Sequence, residues 1–262
     1  MAHIISIVNH KGGVGKTTTT INLGHAIARK KQRVLLIDMD LQCNTTLTIL
    51  GLESPQYCLS DLLNPSDSKK IEGCIHPTDY ENLYILPNSK KSVKIEMPLI
   101  TMQMRSGLFL LREKLREYGE KNFDYILIDC PPNLGTFVLC ALYTSDSVII
   151  PVETGSRYSL EGLNEATDFV TAIKNDPQGN PKLKTIRALL TKTDLRTLVH
   201  KASIQQIKSH YPSNNLFKTT IPINTTIQQA EAMGKTIFQV RSNANSAKAY
   251  TALVKEILEF KE

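Results

Sequence analysis

The chain has 262 residues, of which 41% are hydrophobic and 21% charged, a composition typical of globular proteins rather than of disordered, collagen-like or coiled-coil chains. The net charge of +6 is unevenly distributed: residues 181–262 carry 13 lysine and arginine residues against five acidic ones, a net charge of +8, while residues 1–180 carry 18 against 20. This excess indicates a surface that binds a polyanion, either nucleic acid or anionic lipid; the alternative is a solvated basic surface without a partner.

The sequence also bears on where the chain works. No apolar stretch reaches the roughly 18 residues that a membrane-spanning helix needs, and the N-terminus lacks the basic segment of a secretory signal. We therefore expect a cytosolic protein. The cysteines are widely spaced and form no C-x-x-C pair, so neither disulfides nor a zinc site is predicted. The expected free thiols are Cys43, Cys58, Cys74, Cys130 and Cys140.

Short apolar runs alternate with segments of helical periodicity along the chain. Strands are predicted at Ile4–Val8, Val34–Ile37, Leu83–Leu86, Tyr125–Ile128, Val148–Val152 and Ile186–Leu190. Helices are predicted at Thr17–Lys30, Met102–Tyr118, Leu160–Lys174, Ile204–His210 and Ala247–Phe260, and surface loops at Leu63–Lys70 and Asn175–Lys182. Most of the strands are continuously apolar, as in parallel strands that are buried on both faces. This order predicts an α/β fold, a doubly wound and mostly parallel sheet in a single domain over residues 1–262.

A glycine-rich segment, NHKGGVGKTT at residues 9–18, follows the first predicted strand and opens the first predicted helix. This is the context of a phosphate-binding loop, because glycines let backbone N–H groups turn toward phosphate oxygens at a helix N-terminus. Lys16 would neutralise the β- and γ-phosphates, and the Thr17 hydroxyl would reach Mg²⁺. His10 stands where the usual pattern G-x-x-x-x-G-K-S/T has its first glycine, and a second lysine, Lys11, follows it.

Acidic residues end two of the predicted strands. Asp129 follows one of them in the Walker B arrangement, in which a carboxylate binds Mg²⁺ through water. Asp38 and Asp40 follow another, close enough to serve a metal ion and an attacking water. A strand-end aspartate is often only a helix cap, but the phosphate loop favours the catalytic interpretation.

Together these motifs resemble those of the ParA/Soj/MinD group of deviant Walker A ATPases, and the match covers nearly the whole chain. KGGVGKTT carries the signature lysine of the group at Lys11, DMDLQCNTT resembles its switch I segment D-x-D-P-Q-x-N-x-T, and ILIDCPPN resembles its Walker B and switch II. Further similarities are PV at 151–152 with LEGL at 160–163, and IPIN at 221–224 with GKTI at 234–237. Within the group, the sequence is most similar to the ParA/Soj branch of DNA-partitioning ATPases.

The resemblance implies ATP and Mg²⁺ as cofactors and an ATP-dependent homodimer, in which Lys11 reaches the nucleotide of the other subunit as a positive group supplied in trans. Asp40 would orient the attacking water, and Pro222 and Asn224 would hold adenine. The implied catalytic residues are Lys11, Lys16 and Asp40; the nucleotide-binding residues are Lys11, Gly12, Gly13, Val14, Gly15, Lys16, Thr17, Thr18, Pro222 and Asn224; the metal-site residues are Thr17, Asp38 and Asp129.

The sequence departs from the family pattern at four positions. Leu41 replaces the usual proline and Cys43 the usual glycine, so the switch I backbone is expected to differ. Ile223 and Thr226 stand where ParA/Soj proteins often have DNA-contacting arginines. Arg196 does match the family. The predicted DNA-binding residues are Arg196, Lys192, Lys201, Lys208, Lys218 and Lys235.

The sequence as a whole predicts a Mg-ATPase for DNA partition or cargo positioning. It would bind nucleoid DNA non-specifically as the ATP dimer and be released when a centromere-binding or cargo-adaptor protein stimulates hydrolysis. Two alternatives stay open. A MinD-like membrane ATPase would need a basic amphipathic tail, whereas residues 250–262 carry nearly balanced charge. An iron–sulfur or metabolic relative would need cluster cysteines at a subunit junction, and the spacing of Cys130 and Cys140 fits structural thiols better.

Overall fold

The centre of the fold is a seven-stranded sheet, seen in a computed structural model that describes residues 1–51, 55–102, 106–156 and 158–259. Its strands are β1 (His3–Ile7), β2 (Val34–Asp38), β3 (His76–Pro77), β4 (Leu83–Leu86), β5 (Tyr125–Asp129), β6 (Ser147–Glu153) and β7 (Thr185–Thr191). They lie in the order β3-β4-β2-β5-β1-β6-β7, and every pair is parallel except β3 with β4. The predicted doubly wound, mostly parallel fold is confirmed, and each of the six predicted strands is present to within one residue at each end.

Helices cover both faces of this sheet. They are α1 (Lys16–Ala28), α2 (Asn44–Leu50), α3 (Leu59–Leu62), α4 (Ile71–Cys74), α5 (Val93–Thr101), α6 (Ser106–Asn122), α7 (Thr136–Thr144), α8 (Ser159–Asn175), α9 (Leu198–His210), α10 (Thr225–Ala232), α11 (Ile237–Arg241) and α12 (Asn245–Leu258). The parts of the predicted helices at residues 103–105 and at Phe260 lie outside the described residues. Helix α7 was not predicted because its segment TFVLCALYT is buried on nearly all sides and shows no helical alternation.

The hydrophobic core forms two layers, one on each face of the sheet. Along β5, Ile126 and Ile128 point into one layer, and Tyr125 and Leu127 point into the other. The first layer packs against α6, α7 and α8, and the second against α1 and α12. Burial on both faces is the reason that the strands read as continuous apolar runs.

Three further features bear on the alternatives raised by the sequence. In the described part of the chain, no helix combines the length and the apolar character needed to cross a membrane. The apolar side of α12, with Leu253, Val254 and Ile257, is buried in the core. The five cysteines are buried and free.

The topology determines where the site lies. Strands β2, β5 and β1 are neighbours and parallel, so their C-terminal ends meet at one edge of the sheet. In the register, Asp129 lies opposite Ile7 on one side and Asp38 on the other. The glycine-rich loop leaves β1 at this edge, which is the crevice where ligands bind in open α/β sheets.

Candidate nucleotide and magnesium site

The loop between β1 and α1 has the backbone conformation that its glycines permit. Gly13 and Gly15 adopt φ angles of +75° and +91°, in the left-handed region that favours glycine. Within the described residues, the backbone N–H groups of residues 12–18 donate to no protein acceptor. A row of free N–H donors at the N-terminus of α1 fits a chain of phosphate groups.

Lys16 is buried below this loop. Its Nζ donates a hydrogen bond to the carbonyl oxygen of Lys11 at 2.9 Å. The Lys16 side chain therefore connects the end of the loop to its beginning. Burial lowers the pKa of Lys16, and the charge of Asp129 opposes that shift. A phosphate chain bound in the loop would face this ammonium.

Asp38 and Asp129 form a buried pair at the strand ends. Asp129 Oδ2 accepts hydrogen bonds from the hydroxyls of Thr17 at 2.8 Å and Thr45 at 2.6 Å, and Asp38 Oδ2 accepts from the backbone N–H of Thr46 at 2.8 Å and its hydroxyl at 2.7 Å. Burial and the neighbouring Asp129 raise the pKa of Asp38 to about 7, and burial raises the pKa of Asp129 to about 6. Carboxylate and hydroxyl oxygens are the donors that Mg²⁺ prefers, and its charge would favour the ionised form of both acids. The residues present therefore fit the metal.

Asp40 lies beside this pair at the edge of the cavity. Its backbone N–H donates to Asp38 Oδ1 at 3.1 Å, and its Oδ1 accepts from the backbone N–H of Gln42 at 3.0 Å. Asn88, two residues after β4, donates from Nδ2 to the carbonyl oxygen of Asp40 at 3.0 Å, and its own backbone N–H donates to the hydroxyl of Thr46 at 2.8 Å. The Oδ2 atom of Asp40 has no hydrogen-bond partner among the described residues, and the Asp40 side chain lines the cavity.

A cavity of about 630 Å³ opens over the loop. The predicted nucleotide-binding residues that line it are Gly12, Gly13, Gly15, Lys16, Thr17, Thr18, Pro222 and Asn224, together with Asp40. Asn224 caps α10 by accepting from the backbone N–H of Thr226 at 2.8 Å, which leaves its amide donor for a base. Val14 is buried and does not line this cavity, and its carbonyl accepts from the Thr191 hydroxyl at 2.8 Å.

Lys11 points away from this cavity. Its Nζ donates to the carbonyl oxygen of Tyr158 and lies 5.6 Å from the centroid of the Tyr158 ring. Its side chain lines a separate cavity of about 550 Å³ beside α8. The structure therefore groups Lys16, Thr17, Asp38, Asp40 and Asp129 in one place and directs the ammonium of Lys11 away from them.

The predicted DNA-binding residues lie in different settings. Lys192 lines the nucleotide cavity, and its Nζ lies 3.2 Å from Glu153 Oε1. Arg196 is 87% exposed, but its Nε and Nη2 donate to the two carboxylate oxygens of Asp194 at 2.8 and 2.9 Å. The exposed lysines are Lys201 and Lys208 on α9, Lys218 after it and Lys235 after α10. Lys201 and Lys208 are two helical turns apart and therefore share one side of α9.

Several residues that contribute to the site were given no role from the sequence. Thr45 and Thr46 stand in the quoted switch I motif, which was the signal available for them. Asn88 lies two residues after β4 and Thr191 is the last residue of β7, and both are far away in sequence. Glu231 accepts a hydrogen bond from the Thr18 hydroxyl at 2.6 Å across 213 residues of sequence. The order of the strands in the sheet brings the distant side chains to the site.

The fold and this site define a P-loop nucleotide-binding protein. The family model for an AAA domain matches residues 2–185. The chain is 36% identical over 259 residues to the sporulation initiation inhibitor protein Soj of Bacillus subtilis, covering 98% of both chains. It is 34% identical over 260 residues to the chromosome partitioning protein ParA of Myxococcus xanthus, covering 99% of this chain and 89% of that one.

A structural relative carries the expected ligands. The septum site-determining protein MinD of Pyrococcus horikoshii, solved with Mg-ADP, is 26% identical with a TM-score of 0.77, and the match covers 98% of this chain and 96% of that one. The chain belongs to the ParA/Soj family of partition ATPases, and the family resemblance is confirmed. It is an ATPase with ATP and Mg²⁺ as its cofactors.

Proposed function

We propose that this ATPase forms a dimer with ATP, binds DNA without sequence preference as that dimer, and is released when an adaptor protein stimulates hydrolysis. The observation that carries the proposal is the direction of Lys11. Its ammonium lies outside the nucleotide cavity of its own subunit, so the charge that Lys11 would add to that of Lys16 has to act on the nucleotide of a second copy. The similarity to Soj and to a chromosome partitioning ParA supports a partition role.

The residues at the strand ends have distinct roles in this proposal. Bound Mg-ATP supplies the phosphoryl group and a divalent charge that offsets its negative oxygens. Lys16 and the N–H groups of the loop would bind the phosphates. Thr17, Asp38 and Asp129 would surround the Mg²⁺ ion. Asp40 would orient the attacking water by accepting a hydrogen bond from it at Oδ2, the carboxylate oxygen that has no partner among the described residues.

The proposal also includes a surface that binds DNA. It is supported by the net charge of +8 over residues 181–262 and by the exposed lysines on α9. Ile223 is 52% exposed and lines the nucleotide cavity, and Thr226 is buried, so neither replaces the arginines that relatives often carry there. The proposed interface therefore rests on Lys201 and Lys208, with Arg196 available once it leaves Asp194.

The test is the oligomeric state measured by sedimentation velocity with ADP or with the slowly hydrolysed analogue ATPγS. We expect the wild-type protein to be a monomer with ADP and a dimer with ATPγS. Lys11→Ala should bind ATPγS with its affinity reduced less than tenfold but stay monomeric, because its charge acts across the interface. A Lys11→Ala protein that dimerises like the wild type would overturn the trans role.

A further inference from the structure

The Lys11 side chain is held on helix α8 rather than free in solvent. Its ammonium makes a charge-assisted hydrogen bond to the Tyr158 carbonyl and lies 5.6 Å from the centre of the half-exposed Tyr158 ring. A cation at this distance from an aromatic ring is attracted by the ring electrons. Glu153, Glu161 and Glu165 also line the cavity beside it, which adds negative potential. These contacts favour one position of a side chain that is otherwise flexible.

Gly162 provides the space for this arrangement. A Cβ atom at position 162 would lie 2.4 Å from Lys11 Cε and 2.7 Å from Lys11 Nζ, closer than atoms can approach. Gly162 is the fourth residue of α8, and its φ angle is not in the left-handed region. Glycine is unfavourable within a helix, and the helix conformation alone does not require it here. The three atoms nearest to such a Cβ all belong to the Lys11 side chain, so an alanine here would displace that side chain.

The residue before Lys11 is bound to the same helix. His10 Nε2 lies 2.8 Å from Glu165 Oε2, and Glu165 follows Gly162 by three residues on a neighbouring position of α8. The first part of the phosphate loop is therefore fastened to α8 at two adjacent points. Tyr158 contacts Lys11, and Gly162 leaves the space for it. We call these two residues the α8 seat.

We propose that Gly162 and Tyr158 are positioning residues for Lys11: the α8 seat holds its ammonium in the monomer, and Lys11 must leave it to reach the nucleotide of a second copy. This inference rests on the proposed function, in which Lys11 acts in trans. The contacts of the seat are lost on dimerisation, so they oppose it. Weakening the seat therefore strengthens the ATP-dependent dimer.

The seat itself can be tested without dimerisation. In the ADP-bound monomer labelled with ¹³C-lysine, the ring current of Tyr158 should shift the ε-methylene signal of Lys11 upfield in NMR spectra. Lys11→Ala identifies this signal by its loss. We expect the shift to disappear in Tyr158→Leu and in Gly162→Ala. An unshifted Lys11 signal in the wild-type protein would overturn the proposal at this step.

The consequence is measured as the dissociation constant of the ATPγS dimer. Gly162→Ala should lower it about tenfold, because the dimer loses two such contacts, one in each subunit, and each cation–aromatic contact at an exposed site is worth about threefold. Tyr158→Leu should act in the same direction. The matched control is Gly73→Ala on α4, because a Cβ there meets no atom within 4 Å. Gly73→Ala should leave the dissociation constant unchanged.

A second measurement separates positioning from a change in α8 itself. In the Lys11→Ala background, adding Gly162→Ala should have no further effect on dimerisation, because the two substitutions act through the same side chain. ADP affinity should be unchanged in Gly162→Ala. An unchanged or raised dissociation constant in Gly162→Ala, with Lys11→Ala still monomeric, would overturn the seat and leave the proposed function intact. Normal dimerisation of Lys11→Ala would instead overturn the proposed function.

Discussion

Cys43 occupies a backbone position that its side chain does not favour. The residue caps α2 in the switch I segment with φ 56° and ψ 30°, in the left-handed region. A Cβ atom in that region contacts the following carbonyl group, which glycine avoids. The glycine that the family usually has here suits this conformation, so cysteine at this position is expected to add backbone strain.

This strain predicts an order of stability at position 43. Cys43→Gly and Cys43→Ala lose the same thiol, but only alanine keeps the Cβ, so Cys43→Gly should have a free energy of unfolding about 1 kcal/mol higher than Cys43→Ala. The measurement is urea unfolding followed by circular dichroism. Cys74, buried in α4 without a positive φ, provides the control, and there the alanine variant should be the more stable one. The same order at both positions would contradict the interpretation.

At the scale of elements, α1 joins the phosphate loop to the C-terminal helices. His25, in its last turn, lies with its ring 4.6 Å from the Tyr80 ring and 5.3 Å from the Phe238 ring, and Nδ1 lies 2.7 Å from the Thr236 hydroxyl. Burial, followed by the charge of Arg29, lowers the pKa of His25 to about 4. The packing of α1 against α11 therefore requires a neutral imidazole.

This contact makes the stability pH-dependent. Above pH 6.5, His25 is neutral in both the folded and the unfolded chain and contributes no difference. As the pH falls from 6.5 toward 4, the unfolded chain binds a proton that the folded chain excludes, so the free energy of unfolding decreases, by about 2 kcal/mol at pH 5.

The comparison with His25→Gln measures this contribution. Between pH 7 and pH 5, the wild-type protein should lose about 2 kcal/mol more stability in urea unfolding than the variant does. The titrations of the carboxyl groups, including Asp38 and Asp129, are common to both proteins and cancel. Parallel stability curves for the two proteins would show that His25 titrates normally in the folded state.

At the scale of the whole molecule, the uneven charge predicts how the ATP-bound dimer binds DNA. Each phosphate contact releases counterions, so the logarithm of the affinity falls by about 0.9 per contact for each unit of log salt. Replacing Lys201 and Lys208 by glutamate removes two contacts per subunit. The salt slope should then decrease by about 3 to 4 for the dimer, equally for two unrelated duplexes.

Fluorescence anisotropy with ATPγS over a KCl series measures this slope. The control is Lys30→Glu with Lys114→Glu, two exposed positions outside the basic third that give the same change in net charge. Equal weakening by both pairs would show that only the overall charge matters. A preference for one duplex sequence would contradict binding through phosphates.

Much of the fold could be predicted because its signals are local. A buried parallel strand needs apolar residues on both faces, and Tyr125–Asp129 shows this directly in its sequence. The glycines of the loop can be recognised in the sequence because the positive φ angles at Gly13 and Gly15 exclude most other residues. Several helices were not predicted. Helix α7 is buried on nearly all sides, which removes the helical period, and the others are short: α2, α3, α4, α5, α10 and α11.

The sequence by itself determined six strands of the sheet, the helices with a clear apolar period, the phosphate loop, and the aspartates at the strand ends, since each depends on residues that are adjacent in the chain. Only the tertiary structure decided which distant side chains meet. It brings Thr45, Asn88 and Glu231 to the site and turns Lys11 onto Gly162, away from its own nucleotide cavity. Such contacts depend on sheet order and on the space between packed helices, and no local pattern of residues encodes either.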